Sequence, residues 1–426
     1  MTAPAAKSVF NPQLTALMSD IGNAFQGVAS QVRKTTIDTA VTENFPIWGL
    51  LIIMAIATVT IVWWIHFKEF LETPHNIARI IRQNLKAADH YHQSNHSRKG
   101  MLDLYNSLVS QGYKEENLAF TNFYVSTVNA TGIFFHAVNG VVSIDAARLA
   151  VMGGARAFVF DLWPDFEPGA EFSPIIQVVE ADSLWRRTTL NALPFVNVLQ
   201  ALITEALQTT TNPGHQDPVI LYLRFRGNPR ASTFHHTAEA LQSTILPYRL
   251  DSTFANCRGA DRLFRVPIDQ LASKVIVISN LRGSGKFSEF VNFSTKDGIQ
   301  LEYEASQLQL ISGDAAANAQ KKILMNPTFV APLSENPLAE SNDYNVAAAQ
   351  KLGIQFVAMN FWNNTKSLKT YMEQFGKYSF ALKPTPLQYV VTRLDPPQMP
   401  PNPGWGDNAQ GQAGTIKAPP DIKPPT

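Results

Sequence analysis

The chain has 426 residues, with 35 Lys and Arg against 34 Asp and Glu and a formal net charge of +1. This balance excludes the electrostatic pull on nucleic acid that a basic domain exerts. The single cysteine, Cys257, excludes an intramolecular disulfide framework and a thiolate metal cluster, and suits a reducing compartment.

Residues 1–44 are polar to amphipathic, with "SDIGNAFQGVASQVRK" as a weak helix pattern, and carry no visible chemistry. From Pro46 to Ile65, "PIWGLLIIMAIATVTIVWWI" holds no ionisable side chain over 20 residues, about the length a helix needs to cross a bilayer core. The expectation is a transmembrane helix over 45–67. Trp48 at one end and Trp63 and Trp64 at the other sit where indole rings favour the interface. Arg33 and Lys34 precede the span, whereas Lys68, Arg79, Arg82 and Lys86 follow it. By the positive-inside rule the large carboxyl-terminal part is cytoplasmic. In the reverse topology the Asn-x-Ser/Thr matches at Asn95, Asn129, Asn292 and Asn363 would be glycan acceptors.

Residues 68–118 show helical spacing at Ile77, Ile80, Ile81, Leu85, Leu102 and Leu108, read as a helical juxtamembrane stalk. His92 and His96 within it share a helix face but have no third ligand. Over 119–394 the strand-like runs "ARAFVFDLW", "SPIIQVVE", "DPVILYLRF", "KVIVISNL" and "IQFVAMNFW" alternate with helical stretches such as "TLNALPFVNVLQALITEALQ" and "STFHHTAEALQSTI". Such alternation predicts an α/β fold with a parallel sheet, and its length favours closure into a β/α barrel. Residues 395–426, with nine prolines and no periodicity, read as a disordered tail of polyproline II character. Pro397, Pro400 and Pro403 give that tail the spacing an SH3 or WW domain accepts.

The local motifs for chemistry are weak. "NLRGSGKFSEF" places Gly283, Gly285 and Lys286 after a strand, but Asn280 and Phe287 stand where a phosphate-cradling loop needs glycine and a hydroxyl. It reads as a plain turn. His235 and His236 are adjacent, diverge by about 100° on a helix, and read as structural.

Several blocks in order carry a stronger signal. "GARAFVFDLW", "SPIIQ", "DPVILYL", then "YNVAAAQKLGIQFVAMNF" from Tyr344 and "GKYSFALKPTPL" from Gly376 resemble the two catalytic halves of phosphoinositide-specific phospholipase C. The resemblance implies that family's distorted TIM-like barrel, with both halves in one chain and a short connection near residues 293–343. In active members two histidines serve as general base and acid, and a calcium ion is held by an Asn, an Asp and two Glu. Matched position by position, the histidines become Val128 and Val178, and the two Glu become Val159 and Arg224, while Asn129 and Asp161 are retained. Phe329 and Ala331 are the nearest counterparts of the family's substrate-contacting Arg and Tyr.

Valine cannot move a proton, and a fixed cation at a former ligand position repels Ca²⁺. The resemblance therefore implies a degenerate, catalytically inert barrel with no cofactor and no metal, in which Arg224 neutralises Asp161. The leading expectation is a single-pass membrane protein whose inactive phospholipase C-like domain is a binding or scaffolding module, with an anionic lipid headgroup or a protein partner. A phosphodiesterase using His136, Asp145, Asp165 or Glu180 is a second reading, and a structural component of an assembly such as a virion is a third.

Overall fold

Strand and helix positions follow from side-chain periodicity in a computed structural model. It describes residues 45–71, 73–87, 98–134, 140–165, 172–177, 189–250, 265–294, 302–304, 318–320, 323, 328–331, 346–361 and 366–389. Residues 1–44, His92, His96, His136, Val178, Glu180 and the proline-rich tail lie outside them.

Helix α1, Phe45–Leu71, has 27 residues and is about 40 Å long at the α-helical rise. Every described side chain from Leu51 to Trp63 is exposed. The hydroxyls of Thr58 and Thr60 donate to the Met54 and Ile56 carbonyls at 2.8 Å, so they need no outside partner. The stretch with described side chains is shorter than a bilayer crossing, and among the described residues no helix is long and apolar enough to cross a membrane. Helix α2, Pro74–Ala87, follows after a two-residue break and is strongly amphipathic.

Helix α3, Met101–Ser110, falls within the segment 68–118 expected as a stalk. Its Met101, Tyr105 and Leu108 pack in one core with Leu118, Phe120 and the inward face of the sheet. The Met101 amide also donates to Asp217 Oδ1 at 2.6 Å, and Asp217 is buried just before a central strand. This part of the expected stalk closes the bottom of the domain.

The strands begin with β1, Phe123–Val128, followed by the short hairpin strands β2, Ile133–Phe134, and β3, Val141–Val142. Helix α4, Ile144–Met152, is capped by the Ser143 hydroxyl, which accepts from the Asp145 amide. Then come β4, Ala157–Pro164, β5, Pro174–Ile176, and β6, Leu193–Pro194. Helix α5 is Phe195–Ile203, β7 is Val219–Phe225, and α6 is Ala231–Ile245. Next are β8, Val275–Ser279, the single turn α7, Phe287–Phe290, and β9, Phe293–Ser294. The second half supplies β10, Glu302–Glu304, β11, Phe329–Ala331, α8, Val346–Lys351, β12, Phe356–Met359, α9, Lys366–Phe375, and β13, Phe380–Leu382.

Eight strands run parallel in the order β10-β11-β12-β1-β4-β7-β8-β9, and β13 lies antiparallel on β1. The expected run "SPIIQ" is not a barrel stave: β5 pairs antiparallel with β4 and β6. The expected connection over 293–343 contains three staves, β9, β10 and β11.

Contacts across the sheet require it to curl. Five strand steps separate β7 from β10, about 24 Å along a flat sheet at the usual strand spacing. Yet Tyr222 on β7 donates to Glu302 on β10 at 2.9 Å, and its ring stacks on Phe329 of β11 at 4.4 Å. The sheet is therefore rolled into a barrel, as expected, and the edges β9 and β10 are unpaired among the described residues.

Alternation divides the barrel into two cores. Phe123, Val125, Ala157, Val159, Ile220 and Tyr222 fill the interior with Phe329 and Phe356, whereas Tyr124, Phe158, Phe160, Leu221 and Leu223 face the helices. Phe329 lies between Tyr222 and Phe356, both at 4.4 Å, so the interior is packed rather than a pore.

Candidate functional site: the barrel mouth

The polar residues sit at the carboxyl ends of the interior-facing rows. On β4 the alternation that buries Ala157 and Val159 inside brings Asp161 to the upper end, and on β7 it brings Arg224 above Ile220 and Tyr222. Parallel register pairs Asp161 directly with Arg224.

Their side chains meet. Arg224 Nη2 donates to Asp161 Oδ2 at 2.7 Å, and the guanidinium is buried. The same nitrogen donates to Asn129 Oδ1 at 3.2 Å, just beyond the end of β1. Asn129 Nδ2 donates in turn to Asn360 Oδ1 at 3.2 Å, after β12. The expected neutralisation of Asp161 by Arg224 is thus present, with Asn129 beside it.

Three further participants were not found from the sequence. Glu302 on β10 accepts from Arg224 Nη1 at 2.7 Å and from the Tyr222 hydroxyl at 2.9 Å. Arg226 Nε donates to Asp161 Oδ1 at 2.8 Å. Gly227, at φ +61°, allows this arrangement, because a Cβ there would stand 2.8 Å from the Trp163 ring. Two guanidinium groups and two carboxylates therefore form one charge-balanced cluster linking both halves of the barrel. The signal for Glu302 was the alternation Leu-Glu-Tyr-Glu over 301–304, hidden in a segment read as a connection.

Burial pushes the Asp161 carboxyl up, but the guanidinium groups of Arg224 and Arg226 outweigh it and hold the carboxyl below its ordinary value. Burial acts to lower Arg224, but Asp161 and Glu302 outweigh it and hold the guanidinium well above its ordinary value. Tyr222 is raised well above the phenol range by burial and by the carboxylate of Glu302. All three shifts run away from the range near neutrality in which general acids and bases ordinarily titrate.

The other sequence-derived positions are distributed as follows. Val159 is fully buried in the interior core, one inward-facing position before Asp161. Val128 is fully buried on the opposite face, in the core between barrel and helices, so it does not line the mouth. Phe329 is the centre of the aromatic stack, and Ala331 ends β11. Asp145 opens α4, pairs with Arg148 at 3.3 Å, and borders a cleft of about 610 Å³ between α4 and α5 that does not include the cluster. Asp165 lies just past β4, where its amide donates to the Ser173 carbonyl. His235 and His236 both contact Glu239 on the outer face of α6. Gly283 and Gly285 take positive φ in a turn leading to Phe287, whose ring packs on Phe225 and Phe234. Asn129 and Asn292 are buried and cannot accept a glycan in the folded protein.

Calcium, which the resemblance implies for active relatives, does not fit here. The place between Asn129, Asp161 and Glu302 is filled by a guanidinium, and among the described residues no group of three or more His, Cys, Asp or Glu could hold a metal.

No family model and no curated protein matches the sequence. Solved structures do match in shape. PLC21 of S. officinalis aligns with a TM-score of 0.50 and 16% identity over 65% of this chain and 38% of its own. PLC21 of L. pealei aligns with a TM-score of 0.50 and 14% identity over 64% of this chain and 39% of its own. The calcium-dependent phosphoinositol-specific phospholipase C of a Pseudomonas species aligns at 0.39 and 10% identity, over 63% of this chain and 96% of its own. This chain thus spans well under half the length of the two PLC21 chains. The parallel barrel, its two-halved order and the two PLC21 alignments agree on one fold, that of the phosphoinositide-specific phospholipase C catalytic domain.

Proposed function

We propose that the protein is a membrane-anchored module with a phospholipase C fold that does not hydrolyse phosphodiesters and works as a binding or scaffolding domain. The observation that carries this reading is the Arg224 guanidinium, bonded to Asp161, Glu302 and Asn129 at the mouth. It supplies the positive charge a divalent ion would bring, but it offers no open coordination position and activates no hydroxyl. Because the cluster is charge-balanced, it gives the mouth no surplus attraction for an anionic headgroup.

The anchor is α1, with the barrel on the cytoplasmic side. Its support is the uncharged sequence from Pro46 to Ile65, the exposed apolar side chains, and the threonine hydroxyls turned onto their own helix. An exposed apolar stretch of this kind needs lipid or a protein cover.

The test is calcium calorimetry and phosphoinositide hydrolysis with the purified full chain, with calcium and with chelator. The expected result is no calcium binding at the mouth and no calcium-dependent turnover. Turnover that requires calcium and disappears in Asp161→Asn would overturn the proposal.

A further inference from the structure

Helix α2 presents two chemically different faces. Ile81 packs against the cluster of Phe134, Ala146 and Leu149 on the barrel's outer layer, and Ile77 and Ile80 are half-buried. Arg79 and Arg82 are exposed. At 100° per residue the three isoleucines span an arc of about 100°, and Arg82 and Arg79 each lie about 150° round the helix from the middle of that arc, so the arginines look away from the barrel. An interfacial helix ordinarily sinks its apolar face into lipid. Here the barrel already occupies that face, and Arg79 and Arg82 are on the side left to meet a surface.

Position supplies the partner. Only two residues separate the end of α1 at Leu71 from the start of α2 at Pro74. A helix that close to a bilayer-crossing segment lies at the headgroup level. Phe134, in the cluster Ile81 packs against, is on the hairpin strand that follows Asn129 at the barrel mouth.

We propose that α2 is an electrostatic clamp, with its isoleucine face seated on the barrel and its Arg79–Arg82 face on an anionic phospholipid surface, holding the mouth end of the barrel beside the bilayer. This rests on the reading that α1 crosses the membrane. Attraction of about 1 kcal/mol per arginine near an anionic leaflet corresponds to about thirty-fold for the pair.

The experiment is amide hydrogen exchange on the full chain in phosphatidylcholine nanodiscs, with and without phosphatidylserine. Amides from Arg79 to Gln83 should exchange about thirty-fold more slowly with phosphatidylserine. The slowing should vanish in high salt and in the Arg79→Gln/Arg82→Gln double variant, and persist when both arginines become lysine. Equal exchange in the two lipids, with Leu51–Trp63 protected in both, would overturn the clamp and leave the anchor standing. Loss of protection over Leu51–Trp63 would instead overturn the anchor, and the clamp with it.

Discussion

Replacing Arg224 by methionine keeps most of the side-chain volume and removes the charge. Asp161 loses its Nη2 partner at 2.7 Å but retains Arg226, and Glu302 loses its Nη1 partner at 2.7 Å but retains the Tyr222 hydroxyl. Removing one member of a buried ion pair costs about 3–5 kcal/mol. The Asp161 side chain is 13% exposed and that of Glu302 30%, so water screens part of the loss and the lower half of that range applies. The expected destabilisation is about 3–4 kcal/mol, which for a domain of this size lowers the melting temperature by roughly 10 °C. Circular dichroism melting of the full chain in detergent measures it. A variant as stable as the parent would refute the view that this guanidinium holds the two halves together.

Arg224→Glu would put a third carboxylate beside Asp161 and Glu302 with Arg226 alone to balance them, so this variant should melt early in chelator and recover with calcium, whereas the parent melts identically in both. Asp161 has a folded pKa below its unfolded value, so the unfolded state binds more protons as pH falls. Its stabilisation is present above about pH 4 and is lost as pH drops through the lower folded value, which an acid titration of unfolding would follow. Lys383 is buried near the Tyr124 ring, and burial lowers its pKa to about 7. The unfolded state then binds more protons between that value and the ordinary lysine range, so stability rises with pH there. Lys383→Met should flatten that rise and stabilise the protein below pH 7, and an unchanged slope would contradict the assignment. Phe329→Ala should cost about 3–5 kcal/mol by opening the aromatic stack, read by denaturant unfolding.

How much of this was legible in the sequence depended on strand length. The long apolar runs of β4 and β7 carry the family resemblance, and matching its positions brings Asp161 and Arg224 together, so their pairing could be foreseen. The strands β9, β10 and β11 are two or three residues long, too short for a period to stand out from a segment read as a connection, and Glu302 went unseen with them. Position matching puts Val128 where the family has a histidine, although counting by twos from Phe123 and Val125 puts it on the outer face. Met101, Tyr105 and Leu108 fall at helical spacing, but only three-dimensional packing tells a stalk from a barrel floor. Helix α2 is helical as its spacing predicts, yet which of its faces meets the protein is decided by the cluster of Phe134, Ala146 and Leu149, which is distant in sequence.

A counter-ion that is part of the polypeptide has no off-rate. Occupancy of the point between Asp161 and Glu302 is decided when the chain is synthesised, and it stays constant through whatever ionic swings the compartment undergoes. The two barrel halves are therefore joined by a bolt that no signalling transient can withdraw.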